Sequence, residues 1–332
     1  MYDSSFFGTV GDTCWYLAFK VVDQFGIAVP SQSAAFNGAT GGGSQSTSSS
    51  CSSATGTNGY GIAWTNVDLG PSPGDETFQV QAGGLTTTFY ANVRPAPSIG
   101  ANAVVDAASY QVGKGLAPGS YITIFGNALS DATEDLSTNF LPFSMSGVSV
   151  SFQSPDGTQG WPGRLWYVSP SQINVQIPWE LQGLTSAQLT VNVADVSVPY
   201  TIPISPYLPA MFTYGDHLAI AQDQSSYQLV TASNPAQPGQ YIILYANGLG
   251  AVDHPPLSGE ATPSQQLAST LVQPTVTIGG VAANVLFSGL TPDSIGLYQI
   301  DVQVPANAPA GMQPVVITQS GVSSQPANLP IQ

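Results

Sequence analysis

Aliphatic and polar residues alternate along two short segments that recur in the chain. In residues 172–178 (QINVQIP), Ile173, Val175 and Ile177 interleave with Gln172, Asn174 and Gln176. In residues 299–305 (QIDVQVP), Ile300, Val302 and Val304 interleave with Gln299, Asp301 and Gln303. A period of two puts the aliphatics on one face and the amides on the other, which predicts a half-buried strand ended by a proline that cannot donate to a ladder. A second matching pair lies upstream of each: residues 118–129 (PGSYITIFGNAL) and 238–250 (PGQYIILYANGLG). Both predict a strand that leaves a Pro-Gly turn and stops at an Asn-containing turn. The openings are offset by 120 residues and the returns by 127, so the chain holds a duplicated, domain-sized unit with a small insertion between matching strands. The pattern assigns Ile122, Ile124, Ile173, Val175 and Ile177 to one core, and Ile242, Leu244, Ile300, Val302 and Val304 to another.

Upstream, residues 1–94 read as a separate β domain. Strands are expected at 15–22, 28–36, 59–67, 77–82 and 85–93, with a turn at 23–26 and a Gly/Ser loop at 41–53. Residues 94–98 (RPAPS) form a stiff linker. The prolines at 199, 203, 206 and 209 predict an extended, edge-like link between the two copies. The domains are therefore 1–94, 95–206 and 207–332. No long segment carries a helical period, and only 180–188 and 264–271 are candidates for a turn or two of helix. With turn signals every eight to twelve residues or so, the expected class is all-β, three immunoglobulin-like sandwiches in tandem.

The openings, Ser169-Pro170-Ser171-Gln172, Pro209-Ala210-Met211-Phe212, Gly248-Leu249-Gly250 and Gly296-Leu297-Tyr298-Gln299 resemble TIG-type immunoglobulin-like domains. With Asp106-Ala107-Ala108-Ser109, the span from Val104 to the end is similar to a C-terminal domain family on secreted proteins of Solibacter-type acidobacteria. Asp23, Gly26, Pro30, Asn58, Gly59, Ala63, Gly74 and the segment 78–82 resemble the bacterial Ig-like domains that repeat along secreted and surface proteins. Ser31 departs from that pattern where a glycine is usual. These resemblances imply fold and an extracellular setting, and no activity.

Charge narrows the function classes. Only 7% of the 332 residues are charged, against about 25% in an ordinary soluble protein, and the formal net charge is −15. Four basic residues, Lys20, Arg94, Lys114 and Arg164, cannot form a phosphate-neutralising patch, which excludes nucleic acid as a partner. No run is long and apolar enough to span a bilayer, and Asp3 stands where a signal peptide carries Lys or Arg, so an exported form has its signal outside this sequence. Cys14 and Cys51 suggest one disulfide in an oxidising compartment; the alternative is two buried thiols.

Candidate chemistry is sparse. His217 and His254 lie in no nucleophile motif, no cofactor signature occurs, and the expectation is a non-enzymatic protein without cofactor. Asp131, Glu134 and Asp135 are a weak calcium candidate against a solvated acidic loop. Trp161, Trp166, Tyr167 and Trp179 are candidate ligand or partner contacts, Trp161 on what reads as an exposed turn tip; the alternative for Trp166 and Trp179 is packing. Phe6 and Phe7 lie in a proline-free N-terminal arm that either completes its own sandwich or adds to a neighbour's sheet to build a filament. The expected role is a structural or adhesive protein of the cell surface, with itself or a surface glycan as partner. Alternatives are a carbohydrate-binding module or a hydrolase with an unrecognised carboxylate pair.

Overall fold

In the computed structural model Ser186–Val193 alternates strictly between buried and half-buried positions and Gly311–Gln319 does so over its second half, whereas strands such as Tyr121–Asn127 and Tyr241–Asn247 bury consecutive residues. The structure describes residues 4–136, 138–194 and 196–332; Met1, Tyr2 and Asp3 of the candidate arm lie outside them. The chain divides into two compact units, Met1–Ala96 and Pro97–Gln332. It is all-β and builds three immunoglobulin-like sandwiches. The two copies of the duplication, parted at 206 in the sequence reading, lie within one compact unit.

The first unit packs a four-stranded sheet on a three-stranded one. The first is ordered Ser5–Thr9, Leu85–Arg94, Gly74–Ala82 and Ala34–Thr40; the second is Trp15–Lys20, Ile62–Asp68 and Ser44–Gln45. Leu17, Val67, Phe78 and Val93 form its core, with Phe6 and Trp15 against them. Cys14 and Cys51 are joined across 37 residues, which pins the Gly/Ser loop. The strand expected at 28–36 is displaced to Ala34–Thr40. Pro30 has no N–H to offer a ladder, and Ser31 adopts φ 59°, so residues before 34 bond instead to Thr57. Glu76 is buried in this unit; its Oε1 accepts from Gly70 N at 2.9 Å while Oε2 has no partner.

In the first copy, one sheet is ordered Glu134–Asp135, Arg164–Val168, Gln172–Gln176, Tyr121–Asn127 and Ser98–Asp106. The other is ordered Ser144–Met145, Val148–Gln153, Ser186–Val193 and Val196–Pro203, with Gly160–Pro162 on Val148–Gln153. The proline-rich segment is therefore no loose link. Val196–Pro203 pairs along its length with Ser186–Val193 as an edge strand, the one position where Pro199 and Pro203 leave no partner unsatisfied. In the second copy Val281–Leu290 pairs with Thr275–Ile278 through its first half and with Tyr298–Gln303 through its second, so one strand turns the corner between the sheets. The five predicted core residues of each copy lie together in separate clusters, all fully buried. Of the two helix candidates, 180–188 yields a single 3-10 turn at Trp179–Leu181. Residues 264–271 yield none, because Ser269 and Thr270 bridge to Gly289 and Val252.

The copies repeat one another down to single bonds. Gln176 Nε2 donates to Gly119 O at 3.0 Å and Gln303 Nε2 to Gly239 O at 3.1 Å, tying the last amide of each return strand to its own Pro-Gly turn. Both copies also carry a β-bulge in the matching strand, between Leu165 and Tyr167 and between Val285 and Phe287. Leu165 faces Val175, and Val285 faces Val302, so the growth of the offset from 120 to 127 falls in the hairpin after the bulge. That connection is short in the first copy, between Val168 and Gln172, and long in the second, from Leu290 to Tyr298.

Candidate functional site

The long hairpin of the second copy reaches the first copy and closes a junction around buried polar groups. A Cβ on Gly296 would lie 2.8 Å from both Gln176 Nε2 and Gly119 O, so only glycine allows this approach, and its φ of 59° suits glycine too. Beside it, Asn247 Oδ1 accepts from Tyr121 N at 3.1 Å, and Asn247 Nδ2 donates to Tyr121 O at 2.8 Å and to Asp106 Oδ2 at 2.6 Å. Gly259 N donates to Gln176 Oε1 at 2.7 Å, and residues 139–141 exchange backbone bonds with 259–261. Buried amides that find partners only across a junction fix its geometry, since separating the copies would strip them.

Asp106 is nearly inaccessible. Its Oδ1 accepts from Ala108 N, Ser109 N and Ser109 Oγ, yet burial outweighs these bonds and raises its carboxyl above the ordinary carboxylate range. Burial likewise raises Asp301, which accepts from Gln224 and Gln299. These two buried carboxylates are saturated by amides, hydroxyls and backbone; neither faces a partner acid as a hydrolase pair would.

Arg164 lies beneath the junction with its guanidinium 3.7 Å from the Phe143 ring centre and 5.0 Å from that of Phe140. Nη1 donates to Leu141 O, and Glu180 and Glu260 are close enough to favour its charge. Burial is the larger influence and lowers its pKa.

The four aromatic candidates separate. Trp179 packs against the core of the second copy, its N donating to Ser258 Oγ at 3.0 Å, so it is junction packing. Trp161 is not on an exposed tip: Gly160–Pro162 is a strand, Trp161 lies opposite Phe152, and the indole packs half-buried on the first core. Tyr167 is half-buried opposite Asn174. Trp166 is the extra residue of the bulge, 38% exposed, and its ring is 5.5 Å from that of Tyr121. A bulge re-aims a side chain out of the strand's alternation. Trp166 forms a wall shared by two adjoining hollows of about 520 and 420 Å³. The larger brings Tyr121, Trp166, Phe212 and Tyr245 together below Asn139 and Asp293. The smaller adds Tyr110, Asn174, Tyr214 and His217. Sequence reasoning found Trp166 and missed its companions, which come from distant segments that only the docking of the copies brings together.

Other candidates disperse. Ser5–Thr9 pairs in parallel with Leu85–Arg94 of its own unit, and Phe6 lies 5.0 Å from Trp15 and 6.3 Å from Phe78. The arm therefore completes its own sandwich; Phe7, which alternates with Phe6, is exposed. Glu134 and Asp135 are consecutive in a strand and point to opposite faces, with Glu134 Oε2 accepting from Ser146 Oγ, so they do not converge with Asp131 on a cation. Among the described residues no three His, Cys, Asp or Glu side chains gather to hold a metal. His254 Nδ1 sits 3.0 Å from Asp253 Oδ1 in an exposed pair, and His217 occupies a left-handed turn position with φ 57°. Among the described residues no helix is long and apolar enough to cross a membrane.

No protein-family model matches the chain, and no curated protein does. Solved structures that resemble it include the FdeC adhesin of Escherichia coli, 14% identical over 98% of this chain and 94% of that one, TM-score 0.23. A 282-residue C-terminal fragment of intimin in complex with its receptor's intimin-binding domain is 13% identical over 58% of each chain, TM-score 0.33. The I67–I69 I-band fragment of titin is 11% identical over 99% of this chain and 95% of that one, TM-score 0.27. At such identities and scores these likenesses carry nothing about function.

Proposed function

We propose that the protein is a non-enzymatic, extracellular adhesive and structural element whose paired copies form one rigid binding body. The observation that carries this reading is the junction: buried amides from each copy bond the other, while an aromatic cleft beside them stays open. A rigid β scaffold that displays unpartnered rings suits recognition of a surface, since little ordering entropy is lost on contact. The Cys14–Cys51 disulfide and the scarcity of charged residues favour an extracellular setting. The similarity of residues 104–332 to the acidobacterial secreted family belongs to this proposal. Filament growth through the N-terminal strand does not, because that strand and Phe6 are committed to their own sandwich.

The test is capture of intact cells. Beads coated with the chain, set against a panel of bacterial, fungal and animal cells, should hold at least one type saturably, and Trp166→Ala should abolish the capture. Capture no better than that of albumin-coated beads throughout the panel would overturn the reading.

A further inference from the structure

The cleft around Trp166 also specifies what kind of molecule it takes, an inference that rests on the adhesive reading and sharpens it. Three observations bear on the occupant. The first is electrical: the larger hollow is lined by no cation, and its one charged side chain is Asp293. Arg164, two residues from Trp166, lines neither hollow: its guanidinium lies against the Phe140 and Phe143 rings with Nη1 bonded to Leu141 O. Anionic ligands are disfavoured on both counts.

The second observation is the state of the strand edges. Arg164–Val168 is flanked by Glu134–Asp135 on one side and Gln172–Gln176 on the other, so an extended peptide finds no free edge there to add to. The third is the mixture of surfaces. The rings of Trp166, Tyr121 and Tyr245 line the hollow, those of Trp166 and Tyr121 inclined at 52° to one another, while the exposed side chains of Asn139 and Asp293, which line it too, make no hydrogen bond to any described residue. Asp293 belongs to the enlarged hairpin that the first copy lacks, and Trp166 stands where the second copy has Leu286. Both features are thus departures from the duplicated pattern that meet at one place.

A ligand matching all three is uncharged, has an apolar face to lie on an indole, and carries hydroxyls in its plane for a carboxylate and an amide. A pyranose has these properties. We propose that the cleft binds a neutral saccharide chain, one ring stacked on Trp166 with hydroxyls donating to Asp293 and bonding Asn139, and the chain running on into the smaller hollow past Tyr110 and Tyr214.

Affinity electrophoresis of the full chain through gels containing soluble neutral polysaccharides (a mixed-linkage β-glucan, a xylan, a galactomannan) or anionic ones (alginate, hyaluronan) tests this. At least one neutral polymer should retard the protein, neither anionic polymer should, and Trp166→Ala should lower affinity at least tenfold. Trp166→Phe, which keeps a ring, should retain part of the binding, Asp293→Asn should lose several-fold, and Phe7→Ala, an exposed ring in the other unit, should change nothing. Unfolding midpoints of the variants confirm that they fold. Retardation by the anionic polymers alone, by none, or equally for wild type and Trp166→Ala would overturn the proposal. Cell capture separates the two readings: capture that needs Trp166 without saccharide binding leaves the adhesive role standing and removes the saccharide, and loss of both removes both.

Discussion

Asn247 of the second copy donates its amide to the buried Asp106 carboxylate of the first at 2.6 Å, across 141 residues of sequence. Its counterpart in the first copy, Asn127, occupies the same place after the same strand and is exposed. Identical residues in a duplicated pattern thus differ in role according to whether another sandwich covers them. Asn247→Ala leaves Asp106 Oδ2 and the Tyr121 N–H without the partner that Asn247 gives them, while Tyr121 O keeps its bond from Ala107 N, and should cost about 1–3 kcal/mol. Asn127→Ala should stay within about 0.5 kcal/mol of wild type. Denaturant unfolding of the two variants provides the comparison, and equal effects would mean that the junction does not stabilise the unit.

Protonation of Asp106 gives the junction a pH dependence whose sign follows from burial. Its folded-state pKa is raised, so its contribution to stability is fully present below the ordinary carboxylate value, near 3.8, and is lost as pH rises through the folded value. Asp301 and Glu76 act in the same direction, both raised chiefly by burial. Asp223 opposes them. Hydrogen bonds from Ser225, Gln240 and Ser226 hold it below the ordinary range, so its contribution is present at neutral pH and disappears on acidification. Measured from pH 3 to 7, the stability of wild type relative to Asp106→Asn should fall as pH rises; a flat or rising difference would contradict the assignment.

Gly119 and Gly239 begin matching strands with φ near 81° and 86°, yet a side chain would meet different surroundings. At Gly119 a Cβ would come within 2.2 Å of the Trp179 ring, whereas at Gly239 nothing lies within 4 Å. Gly239→Ala should therefore cost only the left-handed backbone penalty, about 1–2 kcal/mol. Gly119→Ala should cost clearly more, because it also displaces Trp179 from the junction. Paired thermal melts would show the difference, and equal shifts would place Trp179 outside the packing.

Removing the Cys14–Cys51 bond should destabilise the first unit by about 4 kcal/mol, the chain-entropy value for a 37-residue separation. Reduction followed by denaturant unfolding should lower the transition of residues 1–96 and leave that of 97–332 in place. In the duplicated unit, Ile173→Ala and Ile300→Ala should each cost about 2–5 kcal/mol, as fully buried aliphatics do.

The sequence made the strands and cores legible because alternation is a local signal. Ile173, Val175 and Ile177 need only their own spacing to declare a face. What lies over the opposite face is not local. Gln176 reads as a solvent-side amide, yet it is fully buried and bonds Gly259 of the other copy. Prolines 199 and 203 read as a link because proline excludes central strands, and the edge position that admits them depends on sheet order. Trp161 looked exposed because a Gly-Trp-Pro-Gly run signals a turn, although its partner strand Val148–Gln153 makes it part of a sheet. The cleft was out of reach for the same reason: Tyr121, Phe212 and Tyr245 are unremarkable until the copies dock.

The enlarged hairpin of the second copy makes the pairing directional. One copy supplies the protruding loop with Gly296, and the other supplies the seat: Gly119, Gln176 and the Trp179 indole beside them. The second copy repeats the glycine and the glutamine of that seat as Gly239 and Gln303, but Ala306 follows Pro305 where Trp179 follows Pro178, so its seat lacks the indole. Among the described residues the seat that includes the indole is therefore present once, and it is already engaged by Gly296. A further copy set against the second would meet Gly239 and Gln303 without an indole beside them, so repeating the same contact would forgo the Trp179 packing.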